Sequence, residues 1–136
     1  MTEKQTTLYA ALVLRLGLGT VFIAHALLKI IVFTPAGTVG FFASLGVPGG
    51  LAYLVMIAEL VGGTMLLLGA KVRLVSLALI PILIGAIVLV HGHYGWLASN
   101  EGGGWEYSAF LIVAAVVQSL LGNGAFSVNS LSNKVN

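Results

Sequence analysis

The sequence has no cysteine among its 136 residues, and it has very few charged side chains. The missing cysteine excludes disulfide bonds, thiolate catalysis, and iron–sulfur or other thiolate metal centres. Only 7% of the residues are charged, against about 25% in a typical soluble domain. The formal net charge is +2 and there is no basic run, so nucleic acid is not an expected partner.

Apolar residues make up 59% of the chain, which is too many to bury inside one small globule. The length allows a single domain covering residues 1–136. A lipid bilayer is therefore the expected solvent. The N-terminal stretch MTEKQTTLYAAL leads into a long apolar run without a small-residue cleavage site, so no signal peptide is expected.

Four apolar runs are long enough to cross a bilayer, which takes about 17–25 residues. They are continuous rather than alternating, which indicates helices. The predicted fold is thus an all-α membrane protein, a bundle of four transmembrane helices. The spans cover about residues 8–33, 51–69, 74–94 and 105–121.

The short connections predict an orientation. Lys71 and Arg73 occupy the turn between the second and third spans, and Lys4 and Lys134 lie in the tails. In a four-span chain all four positions fall on one side, which the positive-inside rule assigns to the cytoplasm. We therefore expect a multi-pass protein of the bacterial inner membrane with both termini cytoplasmic.

The connections on the other side, residues 34–50 and 95–104, contain no Lys or Arg. In the first of them, TPAGTVGFFASLGVPGG, the spacing of the apolar residues predicts a short amphipathic helix at the membrane interface. The alternative is a loop that folds over the mouth of the bundle. Within the spans, Pro81 is expected to kink the third helix. Two small-xxx-small pairs, Ala58 with Gly62 and Ala115 with Ser119, together favour close helix packing, and the alternative for either pair alone is that small residues are simply common in membrane helices.

Four ionisable residues lie inside predicted spans: Arg15, His25, Lys29 and Glu59. A charge at the centre of a bilayer costs about 2.5–3.5 kcal/mol even on lenient scales, so such residues normally pair, face the bundle interior or have a function. Arg15 lies near the cytoplasmic end and is expected to be structural, as is Pro81.

A helical rise of about 1.5 Å per residue places His25 and Glu59 at the same depth, roughly 12 Å below the outer boundary. Lys29 follows His25 by four residues, so the two share a helix face. Lys29 can then pair with Glu59, and the alternative is that it extends to the lipid headgroups. Glu59 and His25 are the candidate catalytic residues, and structural pairing is the alternative for Glu59.

The stretch LVHGHYGWLASNEGGGWEY at residues 89–107 brings more polar and aromatic side chains to the same side. Together with His25 and Glu59 they predict one polar pocket in the outer half of the bundle. His91 and His93 are two apart, so on a regular helix they diverge, and they converge only if the helix ends between them. Glu101 is expected to be a solvated loop residue. The candidate ligand-binding residues are Lys29, His91, His93, Glu106, Trp105 and Tyr107.

Metal and nucleotide sites are not expected. Three histidines and an acid could hold a transition metal, but no His-x-x-x-His or Glu-x-x-His spacing occurs on one helix. The run Gly102–Gly104 follows no strand and is interpreted as a turn rather than a phosphate-binding loop.

Three stretches of the chain carry a family resemblance: RLGLGTVFIAHALLK (15–29), FFASLGVPGGLAYLVMIAELVGGTMLLLG (41–69) and VHGHYGWLASNEGGGWEYSAFLIVAAVVQSLLGNGAFSVN (90–129). In their order and spacing they resemble the DoxX family of small bacterial membrane proteins. One departure is AHALLK, where family members often have Gly before the Lys. The resemblance implies a four-helix membrane fold. It also implies links to quinone-coupled oxidation and oxidative stress in some members, and to assembly of receptors in distant animal relatives.

Three functions remain open. The first is a redox-linked membrane protein whose pocket binds a quinone: histidine and carboxylate exchange protons with the ring, and aromatic side chains stack on it. It would have no intrinsic cofactor, and it would exchange electrons with a redox partner protein or with a substrate. The second is a non-catalytic assembly subunit, alone or as a homo-oligomer. The third is a small transporter or proton path. Whether the protein is an enzyme is left open.

Overall fold

A computed structural model describes residues 1–129 as a bundle of helices with no strand in that range. Lys134, part of the orientation argument, lies outside the described residues. The α-helices are α1 (Glu3–Leu27), α2 (Pro35–Ser44), α3 (Leu51–Leu68), α4 (Val72–Leu89) and α5 (Glu106–Leu121). A π-helical turn (Leu28–Val32) continues α1, and a 3-10 turn (His91–Tyr94) follows α4.

Three helical segments are long and apolar enough to cross a membrane, namely Glu3–Val32, Leu51–Leu68 and Val72–Leu89. Their outward side chains are strongly exposed in the isolated protein: Val13 and Ile31 are each 69% exposed and Leu74 is 64% exposed. Exposed apolar surface of this extent, on helices long enough to cross a bilayer, is typical of a membrane protein. The protein therefore resides in a bilayer. The shorter apolar helix α5 has 16 residues, so a fourth span stays a prediction.

The predicted spans and the observed helices differ most at the third segment. The prediction extends this helix to about Tyr94, whereas α4 ends at Leu89 and the chain then tightens into the 3-10 turn. The apolar run continues through Val90, so hydropathy alone does not show that the helix ends at Leu89. Pro81 lies inside α4, where its missing N–H leaves the carbonyl of Leu77 without its helical donor.

Two helix pairs make up the bundle, α1 with α3 and α4 with α5, and the core lies between them. Helices α1, α3, α4 and α5 all contribute aliphatic side chains to this core, and α1 also contributes Phe22. The members include Leu18, Leu66, Leu79 and Leu111. The helices α1 and α3 lie backbone against backbone at Gly19 and Gly63. A Cβ atom built on Gly63 would lie 2.9 Å from the carbonyl oxygen of Gly19 and 3.0 Å from the backbone nitrogen of Ile23.

Gly63→Ala is expected to destabilise the bundle, because backbone atoms of α1 cannot move away without separating the two helices. We expect a loss of about 1–3 kcal/mol, as for overpacked cores. The matched control is Gly17→Ala, since a Cβ at Gly17 meets nothing within 4 Å. That change gains helix propensity and is expected to be neutral or slightly stabilising. Thermal denaturation of both variants in detergent measures the difference, and equal melting temperatures would refute the close contact.

The loop between α1 and α3 contains a helix, α2, as the apolar spacing predicts. Pro35 occupies the first turn of α2, where the absent N–H costs nothing, and the side chain of Thr34 accepts a hydrogen bond from the Gly37 nitrogen. Helix α2 packs on α3 and on the π-helical turn. Its location at a membrane interface stays a prediction.

At the opposite end of the bundle, Arg15 ties three parts of the chain together. Its side chain is 1% exposed. Nη1 donates to the carbonyls of Leu66 and Leu67, and Nη2 donates to those of Ala125 and Phe126, at 2.7–3.1 Å. The first two carbonyls belong to the last turn of α3, where helical donors run out. The guanidinium thus caps α3 and holds the segment after α5 against it.

Candidate functional site

A large cavity lies at the end of the bundle where α1 ends and α3 begins, and we call it the α2-end cavity. Its volume is about 1050 Å³. Helix α2 contributes Phe41 and Phe42, and α4 contributes the stretch around Pro81. The polar or titratable side chains in its wall are few: His25, Lys29, Thr38, Glu59, His91, Tyr107 and Ser108.

The strongest polar contact in the cavity wall is an ion pair between Lys29 and Glu59. Lys29 Nζ lies 2.9 Å from Oε1 and 2.8 Å from Oε2 of Glu59. The lysine side chain is 18% exposed and the carboxylate side chain is 5% exposed. The pair therefore joins α3 to the π-helical turn after α1 within the apolar bundle, which is the pairing of Lys29 with Glu59 that the sequence suggested.

Lys29 belongs to the π-helical turn, which changes the hydrogen-bond pattern of α1 at this point. The nitrogen of Phe33 donates to the carbonyl of Leu28, five residues back. The carbonyl of Lys29 instead accepts a hydrogen bond of 3.0 Å from the buried hydroxyl of Thr38 on α2. Such turns are frequent at functional sites. Here the turn fixes the backbone of Lys29 to α2 while its side chain points to Glu59.

His25 stands one helical turn before Lys29 and is half-buried. Its ring lies nearly parallel to that of Tyr107, with 6.1 Å between the ring centres and 24° between the planes. Its Nδ1 is 2.9 Å from the carbonyl oxygen of Val21. Tyr107, at the start of α5, therefore forms an aromatic wall beside the histidine.

His91 reaches the cavity because α4 ends before it. Its Nδ1 lies 2.9 Å from the carbonyl oxygen of Gly103, across the loop between α4 and α5. His93, two residues later in the same turn, is exposed and does not line the cavity. The structure thus brings His91 to the other polar groups and leaves His93 outside.

The loop of residues 95–105 is compact and held by its own backbone. The nitrogens of Gly104 and Trp105 donate to the carbonyls of Leu97 and Gly95, and Gly103 donates to Asn100. The Trp96 and Trp105 rings pack edge to face with 4.5 Å between their centres. Trp105 therefore stabilises the loop and does not line the cavity.

Glu106 also serves this loop. Its Oε1 accepts a hydrogen bond of 2.8 Å from the nitrogen of Ala98, and its own nitrogen donates to the carbonyl of Trp96. It lines a separate shallow groove of about 520 Å³ with Trp96 and Phe110 rather than the α2-end cavity. Glu101 is exposed, as expected for a solvated loop residue.

The DoxX family model matches residues 10–92, more than half of the chain. The chain belongs to the DoxX family. A curated protein of Bacillus subtilis (strain 168), named "Putative oxidoreductase CatD", is 32% identical over 112 residues, which is 82% of this chain and 78% of that protein. No solved structure matches the chain at a significant level.

The DoxX match includes His25, Lys29, Glu59 and His91, and it ends before Tyr107. The α2-end cavity is thus built by the matched region together with the start of α5. Within residues 1–129 there is no cluster of three or more His, Cys, Asp or Glu side chains that could hold a metal ion.

The walls of the cavity are mainly apolar, so the polar pocket predicted from the sequence is not what the structure shows. Valine, leucine and phenylalanine side chains dominate, and the polar groups are spaced among them. Sequence reasoning also missed two contributors, Thr38 and Ser108, which are both buried. Hydroxyl residues are common in membrane helices, and no signal in the sequence distinguishes these two from the others.

Proposed function

We propose that this protein is a redox-linked component of the bacterial inner membrane whose α2-end cavity binds a quinone or a similar small aromatic ring. One observation carries the proposal: a single apolar cavity is lined by a stacked His25–Tyr107 pair and a buried Lys29–Glu59 ion pair. Ligand sites are typically concave and mostly apolar, with a few placed polar groups, and span about 300–1000 Å³.

The chemistry of the side chains fits a quinone-type ring. His25 and Glu59 are the groups that can exchange protons with ring oxygens. The Lys29 ammonium can stabilise negative charge on a ring oxygen, and Tyr107 can pack on the ring face. A redox partner protein would exchange the electrons. The DoxX-like relative from Bacillus subtilis carries an oxidoreductase name, which supports this class of function.

The proposal includes four spans, with α5 as the shortest. The outer side chains of α5 are apolar and exposed, including Phe110 and Leu120 at 69% and 71%, as expected for a helix in lipid. Lys4, Lys71 and Arg73 then lie at the end of the bundle opposite α2. The positive-inside rule makes that end cytoplasmic and places α2 and the cavity at the outer interface.

The test is the thermal stability of the detergent-purified protein with ubiquinone and menaquinone analogues and with catechol. A ligand that binds only the folded state raises stability by about 2.7 kcal/mol at a hundredfold excess over its Kd. We expect a quinone-type ligand to raise the melting temperature and His25→Ala to reduce that increase strongly. His93→Ala removes a histidine outside the cavity and is expected to retain it.

A different result would favour a non-catalytic assembly subunit. If no compound in the panel changes the melting temperature, the cavity is not a site for quinone-type rings. The Lys29–Glu59 pair would then serve to fix the packing of α1 on α3, which is a known role of buried ion pairs in some proteins.

A further inference from the structure

Two histidines in the α2-end cavity use the same ring nitrogen for contact with the backbone. Nδ1 of His25 lies 2.9 Å from the carbonyl of Val21, and Nδ1 of His91 lies 2.9 Å from the carbonyl of Gly103. A carbonyl oxygen accepts hydrogen bonds and cannot donate one. Each Nδ1 must therefore carry a hydrogen.

The state of the other ring nitrogen follows. In the neutral form of an imidazole whose Nδ1 carries the hydrogen, Nε2 carries a free lone pair and is a hydrogen-bond acceptor. Within residues 1–129, neither Nε2 has a hydrogen-bond partner. Both residues line the cavity. Each of the two lining histidines thus keeps one ring nitrogen, Nε2, that can accept a hydrogen bond from a ligand.

The donors in the same wall are largely used inside the protein. Lys29 Nζ contacts both oxygens of Glu59, and its remaining contact is the carbonyl of His25 at 3.5 Å. The hydroxyl of Thr38 is directed to the carbonyls of Lys29 and Thr34. The hydroxyls of Tyr107 and Ser108 can act as donors or acceptors. The donors of Lys29 and Thr38 are thus occupied, whereas the two Nε2 acceptors are not, and this favours a ligand that donates hydrogen bonds.

We infer that the α2-end cavity is selective for a diphenol, a ring with two hydroxyl groups, over the corresponding dione, with His25 and His91 each accepting one hydroxyl hydrogen. This inference rests on the proposed function, that a quinone-type ring binds in the cavity, and it adds which form of the ring binds best. It also assigns the hydroxyl contacts to the two histidines, while the Lys29–Glu59 pair supplies charge nearby.

The energetic basis is the asymmetry of buried hydrogen bonds. A dione presents only acceptors, so each Nε2 would face a ring oxygen with no hydrogen between them. A buried polar group without a partner loses about 1–3 kcal/mol, which corresponds to a factor of roughly 5–150 in affinity. We therefore expect about a tenfold loss of affinity for each hydroxyl hydrogen removed from the ligand.

The experiment compares ligands that differ only in the number of donors. The probes are an alkyl-substituted hydroquinone, its monomethyl and dimethyl ethers, and its dione, measured without oxygen at mildly alkaline pH by isothermal titration in detergent. The expected order of affinity is diphenol, then monomethyl ether, then dimethyl ether, with the dimethyl ether and the dione each about a hundredfold weaker than the diphenol. An alkyl-substituted catechol is the fifth probe. Its affinity, compared with that of the hydroquinone, shows whether adjacent or opposite hydroxyl groups bind better.

Asparagine variants link the effect to particular atoms. In His25→Asn or His91→Asn the side-chain amide can still donate to the backbone carbonyl, but no atom remains at the position of Nε2. Each variant is expected to bind the diphenol about tenfold more weakly. Its affinities for the diphenol and for the monomethyl ether are expected to become similar, because only one acceptor remains. His93→Asn, outside the cavity, is expected to leave the order of affinities intact.

The outcomes separate this inference from the function on which it rests. If the dione binds as tightly as the diphenol, and its binding is weakened by His25→Ala, the selectivity is wrong and the proposed function stands. Equal affinities for the diphenol and its dimethyl ether would also overturn the selectivity. If no member of the series binds, both proposals fail.

Discussion

Arg15→Lys is expected to destabilise the protein strongly even though the charge is retained. The guanidinium donates to four carbonyls from two directions, Leu66 and Leu67 on one side and Ala125 and Phe126 on the other. A lysine ammonium is a single point on a flexible stem and cannot reproduce this fork. Hydrogen bonds to charged groups contribute about 1.5–3 kcal/mol each, so losing even one or two is a large effect.

The burial of Arg15 makes the loss more severe. Because Arg15 is 1% exposed, water cannot replace the missing donors. The carbonyl of Leu67 would lose its donor inside the bundle, and that of Leu66 would keep only its bond from the Gly69 nitrogen. Gly69, which follows α3, has a left-handed backbone (φ 74°), and a Cβ there would lie 2.5 Å from Arg15 Nη1. The space around the guanidinium is thus shaped to it, and a shifted lysine has no prepared alternative site.

Arg73→Lys is the matched control, because Arg73 is exposed and the substitution is chemically the same. We expect a melting temperature close to that of the wild type for Arg73→Lys and a clear decrease for Arg15→Lys. Arg15→Ala is expected to accumulate poorly in the membrane. Equal stability of the two lysine variants would show that the four contacts contribute little.

The second large effect is expected when either partner of the Lys29–Glu59 pair is removed alone. Lys29→Met leaves the Glu59 carboxylate buried without its counter-ion, and Glu59→Met leaves the ammonium unpaired. Breaking a buried ion pair in this way typically costs about 3–5 kcal/mol, because the remaining charge is no longer compensated. Thermal denaturation in detergent should show both single variants as markedly less stable than the wild type.

The double variant Lys29→Met with Glu59→Met should recover most of this loss. Replacing both charges with apolar side chains of similar volume is often neutral or stabilising. Glu101→Met, at an exposed loop position, controls for the loss of an acid and should change stability little. The ion-pair interpretation fails if the double variant is as unstable as the sum of the two single variants. A stable double variant that no longer binds ligand would assign the pair to the site.

The membrane character and the helix positions are predictable from the sequence because they depend on long apolar runs. The pairing of Lys29 with Glu59 can also be predicted, because a constant rise per residue gives the depth of each side chain in the membrane. The helix α2 is signalled by Pro35 at its start and the apolar spacing after it. These features depend on neighbouring residues or on position along a helix, and both can be read from a single sequence.

The remaining features depend on where the backbone turns. His91 enters the cavity because α4 ends at Leu89, while apolar residues continue past that end. Glu106 bonds to Ala98 in a loop whose shape is set by its own hydrogen bonds, and no periodicity records them. The small-residue pattern pointed to Gly62, which packs against Leu79, whereas the close approach of α1 and α3 is at the next residue, Gly63.

The contact between Trp96 and Trp105 has a practical consequence for spectroscopy. These are the two tryptophans of the chain, and both lie in the loop beside His91. The tryptophan emission of the unlabelled protein therefore comes from one place, and Trp96 is 52% exposed there. A change in emission reports the state of this loop rather than that of the bundle. Fluorescence melting curves will follow detachment of the loop, and circular dichroism is needed to follow the helices themselves.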